Sequence, residues 1–176
     1  MRIDPKDAKA GDAICWKGQG WAFQIMSRLL DIFEKDWRRR DWKPWHTGYI
    51  VRILPDGEVV TSQAVAKGVE AVTYPSVSEI GECRIYRWLD SPDQNEIDKY
   101  TEEHNGELYD ILDYLWVFLG VISTAWFHHP FRMVNEWKMC WENLSEFYRY
   151  MDKELQPEDE PCLISRIISK LEEKKE

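Results

Sequence analysis

The residues best suited to chemistry in this chain are a histidine, His46, and a cysteine, Cys140. With four histidines and four cysteines in all, each can be weighed individually. His46 stands near the start of a predicted strand, in Trp45-His46-Thr47-Gly48-Tyr49-Ile50-Val51. A strand holds an imidazole more rigidly than a loop does, which suits a general base. Gly48, two residues on, removes a side chain from the same sheet face and leaves room beside the ring. Cys140 falls in the N-terminal part of a predicted helix over Met139 to Met151. There the helix dipole and free backbone N–H groups favour a thiolate, and the same N–H groups can stabilise an oxyanion. Each residue also has a plainer reading: a strand histidine as a hydrogen-bonded structural group, a free cysteine as core packing. His104 sits at an exposed helix end, Glu103-His104-Asn105-Gly106, and His128 and His129 precede Pro130 in a turn.

The elements that must position this pair follow from periodicity. Residues 1–11 read as an irregular lead-in ending at Gly11, and Asp12 to Trp16 as a short strand. Trp21, Ile25, Leu29 and Ile32 recur at helical spacing, after a Gly18-Gln19-Gly20 turn. A charged, Trp-containing loop over Asp36 to Pro44 leads to a hairpin. Its strands run from Trp45 to Leu54 and from Glu58 to Val65, around the turn signal Pro55-Asp56-Gly57. Gly68 to Tyr74 and Cys83 to Leu89 are two further strand candidates. Asp90-Ser91-Pro92 starts a helix that reaches about Asn105, and from Leu108 onward the pattern is helical, broken once at Pro130. Gln156 to Pro161 reads as a linker, and Cys162 to Glu176 as an amphipathic helix with Leu163, Ile167, Ile168 and Leu171 on one side. A short helix, an antiparallel sheet and then helices make an α+β arrangement. The main domain covers residues 1–155, and 156–176 form an acidic linker and tail helix.

Composition narrows the partners. A chain of 176 residues suits one domain with a real core. The net charge is −9, with acid concentrated at the C-terminus, and Arg38, Arg39 and Arg40 are the one dense basic run. That balance argues against nucleic acid, and the basic run reads as a solvated loop. Cys15, Cys83, Cys140 and Cys162 lie far apart without metal-ligand spacing, so neither a zinc site nor a cofactor is expected. The polar start lacks an apolar leader segment, so reduced thiols in a cytoplasmic setting are expected. Leu115 to Phe127 is the most apolar stretch, 13 residues without a charge and too short to span a bilayer. It reads as a buried helix or as a greasy segment beside a ligand groove, with an interfacial membrane contact as the less favoured alternative. Ten tryptophans point to a core built from large rings, a groove lined by them, or both.

In order along the chain stand Gly11-Asp12 before a strand, His46-x-Gly48 opening a hairpin, Gln63-Ala64 and Gly68-Val69 on the return, Tyr109-Asp110, and Cys140-Trp141-Glu142 opening a helix. This succession resembles the permuted branch of the NlpC-like cysteine peptidase superfamily and the related lecithin retinol acyltransferase group, over roughly residues 10 to 150. The resemblance implies a circularly permuted papain-like fold, in which the strand histidine precedes the helix cysteine. It implies that His46 deprotonates Cys140, that the thiolate forms a thioester with a carbonyl substrate, and that Gln63 takes the place of the third, orienting group. A neutral Gln accepts a hydrogen bond from imidazole and fixes its tautomer, but supports an imidazolium less than a carboxylate does. Tyr109 matches a recurrent tyrosine of the family, although Tyr-Asp before a helix is also ordinary capping chemistry. Trp141 stands where the family has a small residue and would narrow the groove; Glu142 keeps an acidic position that also complements a helix N-terminus.

The expected function is therefore a cysteine hydrolase (amidase or peptidase) or an acyltransferase, with a peptide, amide or lipid-ester substrate. The Trp-rich loop of Trp37, Trp42 and Trp45 leans toward an apolar acyl group. A non-catalytic binding module that keeps the fold is the alternative, favoured by Gln63 and Trp141. A third reading has the acidic tail helix docking on a partner.

Overall fold

The structure is a computed structural model, and it describes residues 1–20, 35–65, 68–90, 92–107, 140–151 and 164–173, with positions 24, 27, 28 and 31. The predicted helix beginning at Trp21 is described only at Gln24, Ser27, Arg28 and Asp31, all helical. The segment from Leu108 to Met139, with Leu115 to Phe127, His128 and His129, lies outside the described residues, as does Cys162.

The fold is mixed α+β. Six antiparallel strands form one sheet in the order β1-β6-β2-β3-β4-β5. They are β1 (Arg2–Ile3), β2 (Ala13–Lys17), β3 (Pro44–Ile53), β4 (Val59–Val65), β5 (Gly68–Tyr74) and β6 (Cys83–Tyr86). The described helices are the short α1 (Lys35–Arg38), then α2 (Gln94–His104), α3 (Cys140–Tyr150) and α4 (Ile164–Glu173). Among the described residues, no helix is long and apolar enough to cross a membrane.

The hairpin forms as its sequence dictates, with Leu54 N–H donating to the Glu58 carbonyl and Gly57 at φ +92° in the turn. β5 returns beside β4 with Gln63 opposite Glu70 and Thr61 opposite Val72. Two expectations are corrected at the ends of the sheet. Residues 1–11 are not irregular throughout: Arg2 and Ile3 pair with Tyr86 and Ile85, and a 3-10 turn follows over Pro5–Asp7. β6 stops at Tyr86 rather than Leu89; the next residue, Arg87, places its guanidinium on the buried carboxylate of Asp12, with Nε and Nη2 donating at 2.9 and 2.8 Å.

The pleat sends alternate side chains to two cores. Under α3, the rings of Tyr49 and Phe147 stack at 3.8 Å, Tyr100 meets Phe147 edge-on, and Leu144 and Tyr148 complete the layer. On the other face Ile14, Ile50, Val59, Ile80 and Ile85 cluster, with Trp16 and Tyr74 packed against them. Large rings therefore build the core, and Trp37 and Trp42 belong to it as buried residues rather than lining a groove. Helix α4 joins the first core through Ile167, Ile168 and Leu171.

The basic run is not a solvated loop as a whole. Arg38 ends α1, Arg39 is exposed, and Arg40 reaches α4, donating to Glu172 at 3.0 Å and to Ser169 Oγ at 2.7 Å.

Candidate active site

β3 and β4 are hydrogen-bonded only as far as the pair Gly48–Gln63. Before that point Pro44 to Thr47 has β2 on one side and, among the described residues, no strand on the other. Ile50 donates its N–H to Asp12 and accepts from Gly11, so its polar backbone groups face the β2 side. Two-residue alternation then turns the N–H of Thr47 to the opposite side, where the ladder has ended. A strand amide is thus free to serve another partner, and it favours the charged form of the Cys140 sulfur.

Cys140 is the first described residue of α3 and is fully buried. The helix is fixed over β3 and β4 by the ring stack and by Tyr148, whose hydroxyl donates to the Gly11 carbonyl at 2.8 Å. That contact gives the Gly11-Asp12 motif a structural purpose. Asp12 ties the lead-in to β6 through Arg87, and Gly11 receives α3.

His46 is half-buried on β3 and hydrogen-bonds both Cys140 and Gln63. Its Nε2 lies 2.8 Å from Gln63 Oε1. The carbonyl oxygen accepts only, so Nε2 carries the proton and Nδ1 is left for the thiol. Trp16 covers the ring at a centroid distance of 5.0 Å and is itself anchored by its Nε1 donating to the Ile80 carbonyl. Gly48 makes this closeness possible. A Cβ there would come within 2.5 Å of the Ser62 carbonyl oxygen, 3.2 Å of Gln63 Cβ and 3.3 Å of the Trp16 ring.

The electrostatics of the pair are reciprocal. Burial alone would lower the pKa of His46, but the negative charge on Cys140, its hydrogen bond and that of Gln63 together raise it. Burial alone would raise Cys140, but the charge and hydrogen bond of His46 and the Thr47 N–H bring it below the usual thiol value. Cys15 is just as buried and lacks such a partner; its pKa is pushed well up, first by burial and then by the neighbouring Cys140 charge. Cys83 is also raised by burial. Equal burial with opposite shifts identifies His46, not the apolar surroundings, as the cause of thiolate stabilisation.

His46, Gln63 and Cys140 are therefore brought together by the fold. Trp45 is half-buried at the start of β3. Tyr109 and the side chain of Trp141 lie outside the described residues. His104 is turned to helix termination, its Nδ1 2.8 Å from the Tyr100 carbonyl and its ring stacked on Tyr100. Sequence reasoning did not single out Thr47, Trp16, Thr61 or Tyr74. Strand alternation places Thr61 on the face of Gln63, and Trp16 is the cross-strand partner of His46. Among the described residues no group of three His, Cys, Asp or Glu is arranged to hold a metal ion. No protein-family model matches the chain, and no curated protein matches it in sequence.

Proposed function

We propose that this chain is a cysteine-dependent hydrolase or acyltransferase with a circularly permuted papain-like fold, acting on an amide or ester carbonyl. The observation that carries the reading is the linked set Cys140–His46–Gln63, in which the thiol is shifted toward its charged form and the imidazole toward its own. Such reciprocal shifts are the mark of an activated thiol–imidazole pair.

In the proposed reaction His46 Nδ1 takes the proton of Cys140, and the thiolate sulfur attacks the substrate carbonyl carbon. The oxyanion is stabilised by backbone N–H groups beside Cys140. The imidazolium returns its proton to the leaving amine or alcohol, and the C–S bond of a thioester remains. Water, or an acceptor alcohol or amine, then attacks the thioester with His46 as base, and the sulfur departs as thiolate. Gln63 keeps the ring oriented and bonds the imidazolium through its carbonyl oxygen. Substrate access requires the groups that cover Cys140 to move aside, since it is wholly buried. A cytoplasmic setting fits a reduced thiol of this kind.

A second reading, a non-catalytic binding module of the same fold, draws on that complete burial and on the neutral Gln63. The two separate in an assay of amide and ester substrates followed by intact mass. The enzyme reading expects an acyl adduct on Cys140 and turnover that Cys140→Ala abolishes. Substrate binding unchanged by Cys140→Ala, with no adduct on any tested ester or amide, favours the binding module.

A further inference from the structure

We infer that Thr61 and Tyr74 are positioning residues that set the protonation site of His46 by fixing which way the Gln63 amide points. The inference rests on the Cys140–His46 reading only for the use made of the free Nδ1; the orientation itself stands on the hydrogen-bond network.

A glutamine amide is nearly symmetric in shape, so its two orientations fit the same space. One presents oxygen to His46 and demands a proton on Nε2, leaving Nδ1 as the base. The other presents NH2, demands a lone pair on Nε2, and moves the proton to Nδ1. That second form has no lone pair with which to accept the Cys140 proton. The choice between a competent and an incompetent imidazole is therefore made at the far side of Gln63.

There the structure is explicit. Thr61 Oγ1 donates to the Val72 carbonyl at 3.2 Å, so its one proton is committed and the oxygen has only lone pairs to offer. Gln63 Nε2 donates to that oxygen at 3.2 Å and to the Tyr74 hydroxyl at 3.0 Å. Both amide protons are used, and Oε1 is left facing His46 Nε2 at 2.8 Å. Flipping the amide would press Oε1 against the lone pairs of Thr61 in a buried site, since Gln63 is 5% exposed. Polarity thus runs from a backbone carbonyl on β5, through Thr61 and Gln63 on β4, to the imidazole on β3. The register sets this up, with Thr61 opposite Val72 and Gln63 opposite Gly48. Tyr74 reaches in from two residues further along β5 and can donate or accept, which makes Thr61 the residue that decides.

The test is the tautomer of His46, read by long-range 1H–15N correlation in alkaline buffer. A Cys140→Ser background keeps the ring neutral, and the signal is assigned by its loss in His46→Gln. The chain with Thr61 and Tyr74 intact should show Nε2 protonated. Thr61→Val with Tyr74→Phe should give a mixed or Nδ1-protonated ring, whereas Thr61→Ser, which keeps the hydroxyl, should leave the signal unchanged. Adding Gln63→Glu to the double variant should restore Nε2 protonation, because a carboxylate has no NH2 to present; a purely structural role would not be rescued this way. In the Cys140 chain the double variant should slow alkylation of Cys140 near neutral pH by about tenfold, the effect of one pKa unit, and Gln63→Glu should recover it. An Nε2-protonated ring in the double variant overturns the inference. A slow Cys140 in the unsubstituted chain would instead overturn the enzyme reading, while the tautomer data still judge the network.

Discussion

At the residue scale, the shifts of His46 and Cys140 are the work of a few named contacts opposing burial. His46 and Cys140 each gain from the charged form of the other, and the Thr47 N–H adds to the thiolate. Both shifts favour the thiolate–imidazolium form, whose lower boundary in pH is protonation of the thiolate and whose upper boundary is loss of the second ring proton. Gln63 contributes to the upper boundary by accepting from the imidazolium. Gln63→Ala removes that support, so the His46 pKa falls and the alkaline limb of a substrate pH–rate profile moves to lower pH. Gln63→Glu moves the same limb upward. An alkaline limb in the same place for all three proteins would show that Gln63 has no part in holding the proton. The pair itself is legible in the residue types, since a strand histidine and a helix-start cysteine are few and distinctive. The Thr47 contact is not, because it depends on where a ladder between two strands ends.

Elements set the distances. The hairpin is readable from Pro55-Asp56-Gly57 between two runs rich in β-branched residues, and β5 over Gly68–Tyr74 coincides with its alternating segment. Two-residue β1 has too short a pattern to read. The exposed-loop expectation for Arg40 fails because its partners, Ser169 and Glu172, are distant in sequence, and no local pattern encodes that pairing. Gly48 is the element-scale point on which the site depends: the close approach of β4 and Trp16 to β3 leaves no room for a methyl group. Gly48→Ala should cost about 1–3 kcal/mol through overpacking, seen as a lower midpoint in urea denaturation, and should separate His46 from Gln63. Unchanged stability together with an intact His46–Gln63 contact would contradict the tight crossing.

At the scale of the whole molecule, the two ends of the chain close over the sheet that carries the site. The N-terminal ammonium donates to the Leu171 carbonyl at 2.9 Å, Tyr86 and Arg40 share Glu172, and Ile167, Ile168 and Leu171 are fully buried. The amphipathic period of this helix is legible in its sequence; that its apolar side completes the main core is a fact of tertiary packing. Ile168→Ala should lower unfolding stability by about 2–5 kcal/mol, measured by denaturant titration, whereas a change within error would mean that α4 lies on the fold rather than in it. The central claim is that this fold brings His46 on β3 together with Cys140 in α3 and so makes that buried thiol unlike Cys15. The most direct measurement is the rate of alkylation of each cysteine by iodoacetamide near neutral pH, resolved by peptide mass, in the unsubstituted chain and in His46→Gln. Cys140 should react much faster than the equally buried Cys15, and His46→Gln should slow Cys140 by about tenfold or more while leaving Cys15 unchanged. Equal, slow labelling of Cys140 and Cys15 in both proteins would contradict the account.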